Sequence, residues 1–101
     1  MEGERVRNYE GVFIIDPDLS HEAAKGVVAQ IQEFVTKGGG RVDSLQEWGK
    51  KRLAYKIRKK HEGNYLFLNF QMDPKHTKKF EQTVRLNDQV MRFLLVNKDE
   101  N

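Results

Sequence analysis

The chain has 101 residues, of which 38% are apolar and 33% charged, with eighteen lysines and arginines against fifteen acids. That is enough for one small core, and it contains no apolar run long enough to span a membrane. There is no cysteine, which excludes disulfides, thiolate metal sites and a cysteine nucleophile.

The opening "MEGERVRNYE" is too polar for a secretion signal, so a cytoplasmic protein is expected. From Val6 to Ile15 the density of β-branched and aromatic residues predicts a strand, closed by a turn at Asp16, Pro17 and Asp18. Ser20 is a good N-cap, with Glu22 in the first turn to meet the helix dipole. Ala24, Val27, Val28, Ile31, Phe34 and Val35 then lie at helical spacing and give one apolar stripe. The glycines at 38–40 end this helix. A second strand begins at Arg41. Its alternation is out of phase between Val42 and Leu45 and regular again at Leu53, Tyr55 and Ile57, which predicts a bulge near Gly49. "HEGN" at 61–64 reads as the turn into a third strand, Tyr65 to Met72. Asp73 and Pro74 open a second helix, whose sparse apolar positions are Phe80, Val84 and Leu86. "LND" leads to a last strand, Val90 to Val96, and a polar tail over 97–101.

This β-α-β-β-α-β order makes an α+β, ferredoxin-like single domain over 1–101. It is a four-stranded antiparallel sheet with both helices on one face and strands one and three at the centre. Phe13, Ile15, Leu66, Leu68, Phe70, Met72, Phe93 and Leu95 then point to the helices. Val12, Ile14, Tyr65, Phe67, Arg92 and Leu94 point the other way. A face carrying Val12, Ile14, Phe67 and Leu94 is too apolar to be left in water, so something is expected to cover it.

Nothing in the sequence assembles a catalytic centre. His21, His61 and His76 have no metal-ligand spacing to one another, and they read as solvated. Of the two serines, Ser20 is a cap and Ser44 has no recognisable His-acid pair near it. The glycines at 38–40 follow a helix and precede a strand, the reverse of a phosphate-cradling loop. The glycine-bracketed loop of acylphosphatases, which share this topology, is absent. No enzyme, cofactor, metal or small-molecule substrate is expected.

The strongest feature is the stretch "WGKKRLAYKIRKKHEGNY". Lys50, Lys51, Arg52, Lys56, Arg58, Lys59 and Lys60 occupy an acid-free window from Lys50 to Lys60. Edge strands are often guarded by lysine against aggregation, which would make this run a solvated edge. The exclusion of acids, with Trp48, Tyr55 and Tyr65 punctuating or flanking the run, points instead to a polyanion such as RNA. For Tyr55, in phase with Leu53 and Ile57, packing is the expected role. Arg52, Lys56 and Arg58 are two or four residues apart and would share one strand face.

"NYEGVFIIDPDL", "EWGKKRLAYKI" and "RLNDQVMRFLLV" together resemble the S-six family of bacterial small-subunit ribosomal proteins, in order and at matching spacing over nearly the whole chain. The resemblance implies the ferredoxin-like fold, a place in the ribosome, and binding to the central domain of small-subunit ribosomal RNA beside ribosomal protein S-eighteen. The apolar face of Val12, Ile14, Phe67 and Leu94 then suits the protein partner and the basic edge the RNA, with the reverse division left open by the sequence. By position, Lys51 and Arg52 match the family's basic pair, and Arg92 matches its last-strand basic residue. Lys56 stands where the family commonly has proline. The long acidic tails of some members are missing.

Two rival functions fit the same topology. A free single-strand RNA-binding domain of the RRM type would need stacking aromatics on strand three, where "EGNYLFLN" places Asn64 and Asn69. A pure protein-interaction module would use its basic residues for solubility alone.

Overall fold

The computed structural model describes residues 6–99. The strands are β1 (Arg7–Ile15), β2 (Arg41–Ile57), β3 (Lys60–Met72) and β4 (Val90–Asn97), and the helices are α1 (His21–Lys37) and α2 (Thr77–Arg85). They form one antiparallel sheet in the order β2-β3-β1-β4, so β1 and β3 are central, as the sequence predicts.

The helix ends follow their local chemistry. The Ser20 hydroxyl accepts from the Ala23 N–H at 3.1 Å, and beyond Lys37 the Gly38 N–H closes on the Phe34 carbonyl at 3.2 Å. Asp73 caps as expected, accepting from Lys75 N–H at 3.0 Å, but it caps a 3₁₀ turn, Pro74–His76, from which α2 continues.

Val27, Ile31 and Val35 of α1, with Phe80 and Val84 of α2, bury one face of the sheet through Phe13, Leu66, Leu68, Phe70, Met72 and Phe93. The rings interlock: Phe13 and Phe93 are 4.8 Å apart, and Phe80 meets Phe70 at 5.3 Å and Phe93 at 5.9 Å. Leu86 departs from the expected stripe. It follows α2 at the C-cap, beyond the face that packs, and is 82% exposed.

The main departure lies between β2 and β3. The turn is at Arg58–Lys59, both with positive φ (50° and 67°), and "HEGN" lies inside β3. A two-residue hairpin turn needs positive φ at both centres and usually recruits Asn-Gly, so Gly63 attracted the sequence reading. Gly63 serves a different need. A Cβ on it would stand 2.3 Å from Ile14 Cγ2, so its bare backbone lets the hairpin lie close against β1.

Three irregularities steer β2. Val42 pairs with Phe70 and Ser44 with Asn69, leaving Asp43 extra, so Val42 and Leu45 both turn toward the helices. Trp48 is extra between Glu47 and Gly49, and Gly49 takes φ 76°, so the bulge expected near Gly49 is present. Then Arg52 pairs with Glu62 and Ile57 with Lys60, so five steps along β2 answer two along β3. Over this last stretch the hairpin curls across the face opposite the helices. There Leu53 forms a second small core with Ile14 and Met91, flanked by Ile57 and Tyr65. Met91 reaches it as the extra residue of a β4 bulge, between the Ile15–Val90 and Ile14–Arg92 pairs.

The expected tail is partly tied down. Asn97 belongs to β4, the Lys98 N–H bonds the Asn8 carbonyl at 2.8 Å, and the Asp99 carboxylate accepts from the Asn8 N–H at 2.8 Å. The rest of that expected tail, residues 100–101, and the first five residues lie outside the described residues.

Candidate nucleic-acid and partner interface

The sheet face away from the helices is divided along its length. Toward the start of β1 it is polar. Asn69 donates to the Ser44 hydroxyl at 3.0 Å and accepts from Lys98 Nζ at 3.0 Å, while Gln71 donates to Asp43 at 3.3 Å. Toward the end of β1 it is apolar and aromatic. Val12 sits between Phe67 on β3 and Leu94 on β4, and the bulged Trp48 lies over Phe67 with ring centroids 4.4 Å apart. Trp48 is 53% exposed and Leu94 59%, so the patch meets solvent.

Ile14 lies on this face as expected, but it is only 9% exposed because Leu53 and the hairpin backbone at Gly63 cover it. It shapes the patch from beneath. The covering hairpin leaves an apolar concavity of about 210 Å³ between itself and the sheet. Val12, Ile14, Tyr65 and Leu94 line it from the sheet, and Leu53, Tyr55 and Ile57 from the hairpin.

Two cations border the patch. Lys51 Nζ stands 6.0 Å above the Trp48 ring, and the Arg92 guanidinium lies 5.7 Å from the Tyr55 ring. Tyr55 is 57% exposed and sits under a cation, where packing was the expected role. It lines the concavity with Leu53 and Ile57, but residues 53–56 have no register partners in β3, and Tyr55 stays largely in solvent there.

The basic window does not form one row. Lys50 pairs with Asn64, Lys51 with Gly63 and Arg52 with Glu62, so successive side chains leave the ribbon on alternate sides. The expected common face of Arg52, Lys56 and Arg58 is lost to the irregular register and to the turn at Arg58. Lys50, Lys51, Arg52, Lys56 and Lys59 are exposed, and none of them takes part in an ion pair among the described residues.

Arg58 and Lys60 are committed within the fold. Arg58 donates to the Asp88 carbonyl at 2.7 Å and the Val90 carbonyl at 3.5 Å. Lys60 Nζ bonds Asp16 Oδ1 at 3.3 Å and also reaches the Asp18 carboxylate. The Asp18 carboxylate raises the Lys60 pKa above its ordinary value. Asp16 is held below the usual carboxylate range, first by the Asp18 N–H at 2.9 Å and then by Lys60, with burial opposing them.

His21, His61 and His76 are exposed, and no cluster of metal-binding side chains occurs among the described residues. Sequence reading missed the Trp48–Phe67 stack and the arrival of Met91 on this face. Both come from bulges, which a period-two pattern does not register.

Residues 8–97 match the family model described as "Ribosomal protein S6". The chain belongs to the ribosomal protein S6 family. It is 39% identical over 95 residues to small ribosomal subunit protein bS6 of Thermoanaerobacter pseudethanolicus, covering 94% of this chain and 100% of the relative. To the bS6 protein of Clostridium novyi it is 40% identical, with the same coverage. Among solved structures, 30S ribosomal protein S6 of Thermotoga maritima superposes with a TM-score of 0.88 at 26% identity, over 92% of this chain and 88% of that one. The C-terminal domain of MgtC from Mycobacterium tuberculosis, at 13% identity and a TM-score of 0.66, shares the fold alone. S6 membership makes the chain a structural, non-catalytic protein of the small subunit of the cytoplasmic ribosome.

Proposed function

We propose that this S6-family chain binds the central domain of small-subunit ribosomal RNA through the basic β2 edge and pairs with ribosomal protein S-eighteen through the apolar end of the open face. One observation carries the reading: an exposed aromatic patch lies beside cations that make no ion pair among the described residues. Lys50, Lys51, Arg52, Lys56 and Lys59 are free to neutralise phosphates and release their counterions. Phe67, Trp48, Val12 and Leu94 supply the kind of central apolar cluster that dominates protein interfaces. Lys51 and Arg92, held over Trp48 and Tyr55, stand at the seam where an RNA surface and a protein surface would meet. Arg58 and Lys60 contribute positive potential rather than direct contacts, because their heads are already engaged.

The edge is tested with Lys51→Glu/Arg52→Glu against the control Lys37→Glu at the end of α1, using a transcript of the central domain. Removing about two phosphate contacts flattens the log–log salt dependence by roughly 1.5 to 2 units in the edge variant. The control keeps the parent slope. Equal losses in both variants would mean diffuse attraction and would refute the basic edge as the RNA surface.

A further inference from the structure

We infer that Arg58 and Lys60 are positioning residues for the partner site: they pin the β2–β3 hairpin over the open face, and the pinned hairpin forms one wall of the concavity that receives a partner's apolar side chain. This rests on the reading of the open face as the partner surface.

The sheet alone would present Val12, Ile14 and Leu94 as a nearly flat strip. The concavity exists because Leu53, Tyr55 and Ile57 stand over that strip, and all three belong to the hairpin. The hairpin is weakly held by its own backbone there. No register pair links β2 to β3 between Arg52–Glu62 and Ile57–Lys60, and the turn places two non-glycine residues at positive φ. Two kinds of contact oppose its lifting. The seat of Leu53 against Ile14 and Met91 is apolar and small. The tip is fastened on both sides, by Arg58 to the carbonyls of Asp88 and Val90 at the start of β4, and by Lys60 to Asp16 and Asp18 in the β1–α1 turn. Lys59, between them, is exposed and has no such bond among the described residues.

The chemistry of the site defines the occupant. Its walls are aliphatic and aromatic, and the Arg92 guanidinium stands at its rim over Tyr55. It therefore fits an aliphatic or aromatic side chain on a partner segment that also offers Arg92 a carboxylate or carbonyl oxygen.

The test measures pairing of the full chain with purified ribosomal protein S-eighteen, without RNA, by calorimetric titration. Arg58→Met/Lys60→Met is expected to weaken pairing by about tenfold, on the scale at which interface walls matter. Amide exchange should quicken over residues 53–57 and stay slow in β1. Lys37→Met, at the exposed end of α1, should pair like the parent. If the double variant fails to fold, Gly63→Ala decides. It lifts the hairpin by crowding Ile14 while leaving Arg58 and Lys60 intact, and it too should weaken pairing. Unchanged pairing in the folded latch variant, alongside weakened pairing in Leu94→Asp, would overturn the inference and leave the open-face reading standing. Unchanged pairing in Leu94→Asp as well would overturn both. Weakened pairing with unaltered exchange over 53–57 would make Arg58 and Lys60 direct contacts and would also overturn the inference.

Discussion

Placing a methyl group on Gly63 tests whether the hairpin is seated where the fold requires. A Cβ there would lie 2.3 Å from Ile14 Cγ2, with Leu53 Cδ2 at 3.5 Å and Met91 Cε at 3.7 Å. The last two are ends of flexible side chains at ordinary contact distance. The first is a branch methyl fixed at the Cβ of a buried residue on a central strand, so it has little freedom to withdraw. At so close an approach the overpacking falls in the upper part of its usual range, about 2–3 kcal/mol. Replacing glycine within a strand returns roughly 0.5–1 kcal/mol of backbone entropy. Gly63→Ala should therefore destabilise by about 1–2 kcal/mol in urea unfolding followed by circular dichroism. Ile14→Leu removes the offending Cγ2 at a cost below about 1.5 kcal/mol. In the double variant the two penalties should fail to add by about 1 kcal/mol or more. A Gly63→Ala protein as stable as the parent, or strict additivity with Ile14→Leu, would refute the close approach of the hairpin to β1.

Phe67→Ser should leave the sheet folded, at a cost of about 1–2 kcal/mol for the lost Trp48 stack and partial burial, and weaken pairing with S-eighteen by a larger amount; titration alongside urea unfolding separates the two. Asp16→Asn should lower stability at neutral pH. A depressed carboxyl contributes fully above its unfolded-chain value near ~4 and loses that contribution as pH falls through its lower folded value, so the acid limb of the unfolding profile should flatten in the variant. Val84→Ala should cost about 1–3 kcal/mol in thermal or urea unfolding, whereas Leu86→Ala should stay within about 0.5 kcal/mol, because only Val84 lies beneath α2.

The element order, the central pair of strands and the start of α1 were legible because each rests on local chemistry, whereas Asp73 caps a 3₁₀ turn that precedes α2. Ser20 and Asp73 cap through their own side chains, and the apolar stripe of α1 repeats at 3.6 residues over a long helix. β2 was not legible by the same means. Its bulges at Asp43 and Trp48 and its slipped register after Arg52 shift the inward face repeatedly, so alternation misplaced the supposed row of Arg52, Lys56 and Arg58 and did not register how exposed Tyr55 is. The turn was misread because the residues with positive φ are Arg58 and Lys59, while the glycine nearby serves close packing. Of the open face, Val12, Phe67 and Leu94 were visible from strand phase. The covering of Ile14 was not, since it depends on a hairpin fastened through Arg58 and Lys60 to residues distant in sequence. Charge density in the basic window is a sequence property, but which of its cations remain free is a tertiary one.

Co-sedimentation of the full chain with small ribosomal subunits through a high-salt wash tests the central claim most directly. The parent should pellet in one-to-one proportion with the subunits. The folded triple variant Lys51→Glu/Arg52→Glu/Phe67→Ser, altered at both the basic edge and the apolar patch, should remain in the supernatant. A triple variant that pellets like the parent would show that neither surface attaches this protein to the ribosome, and would contradict the account.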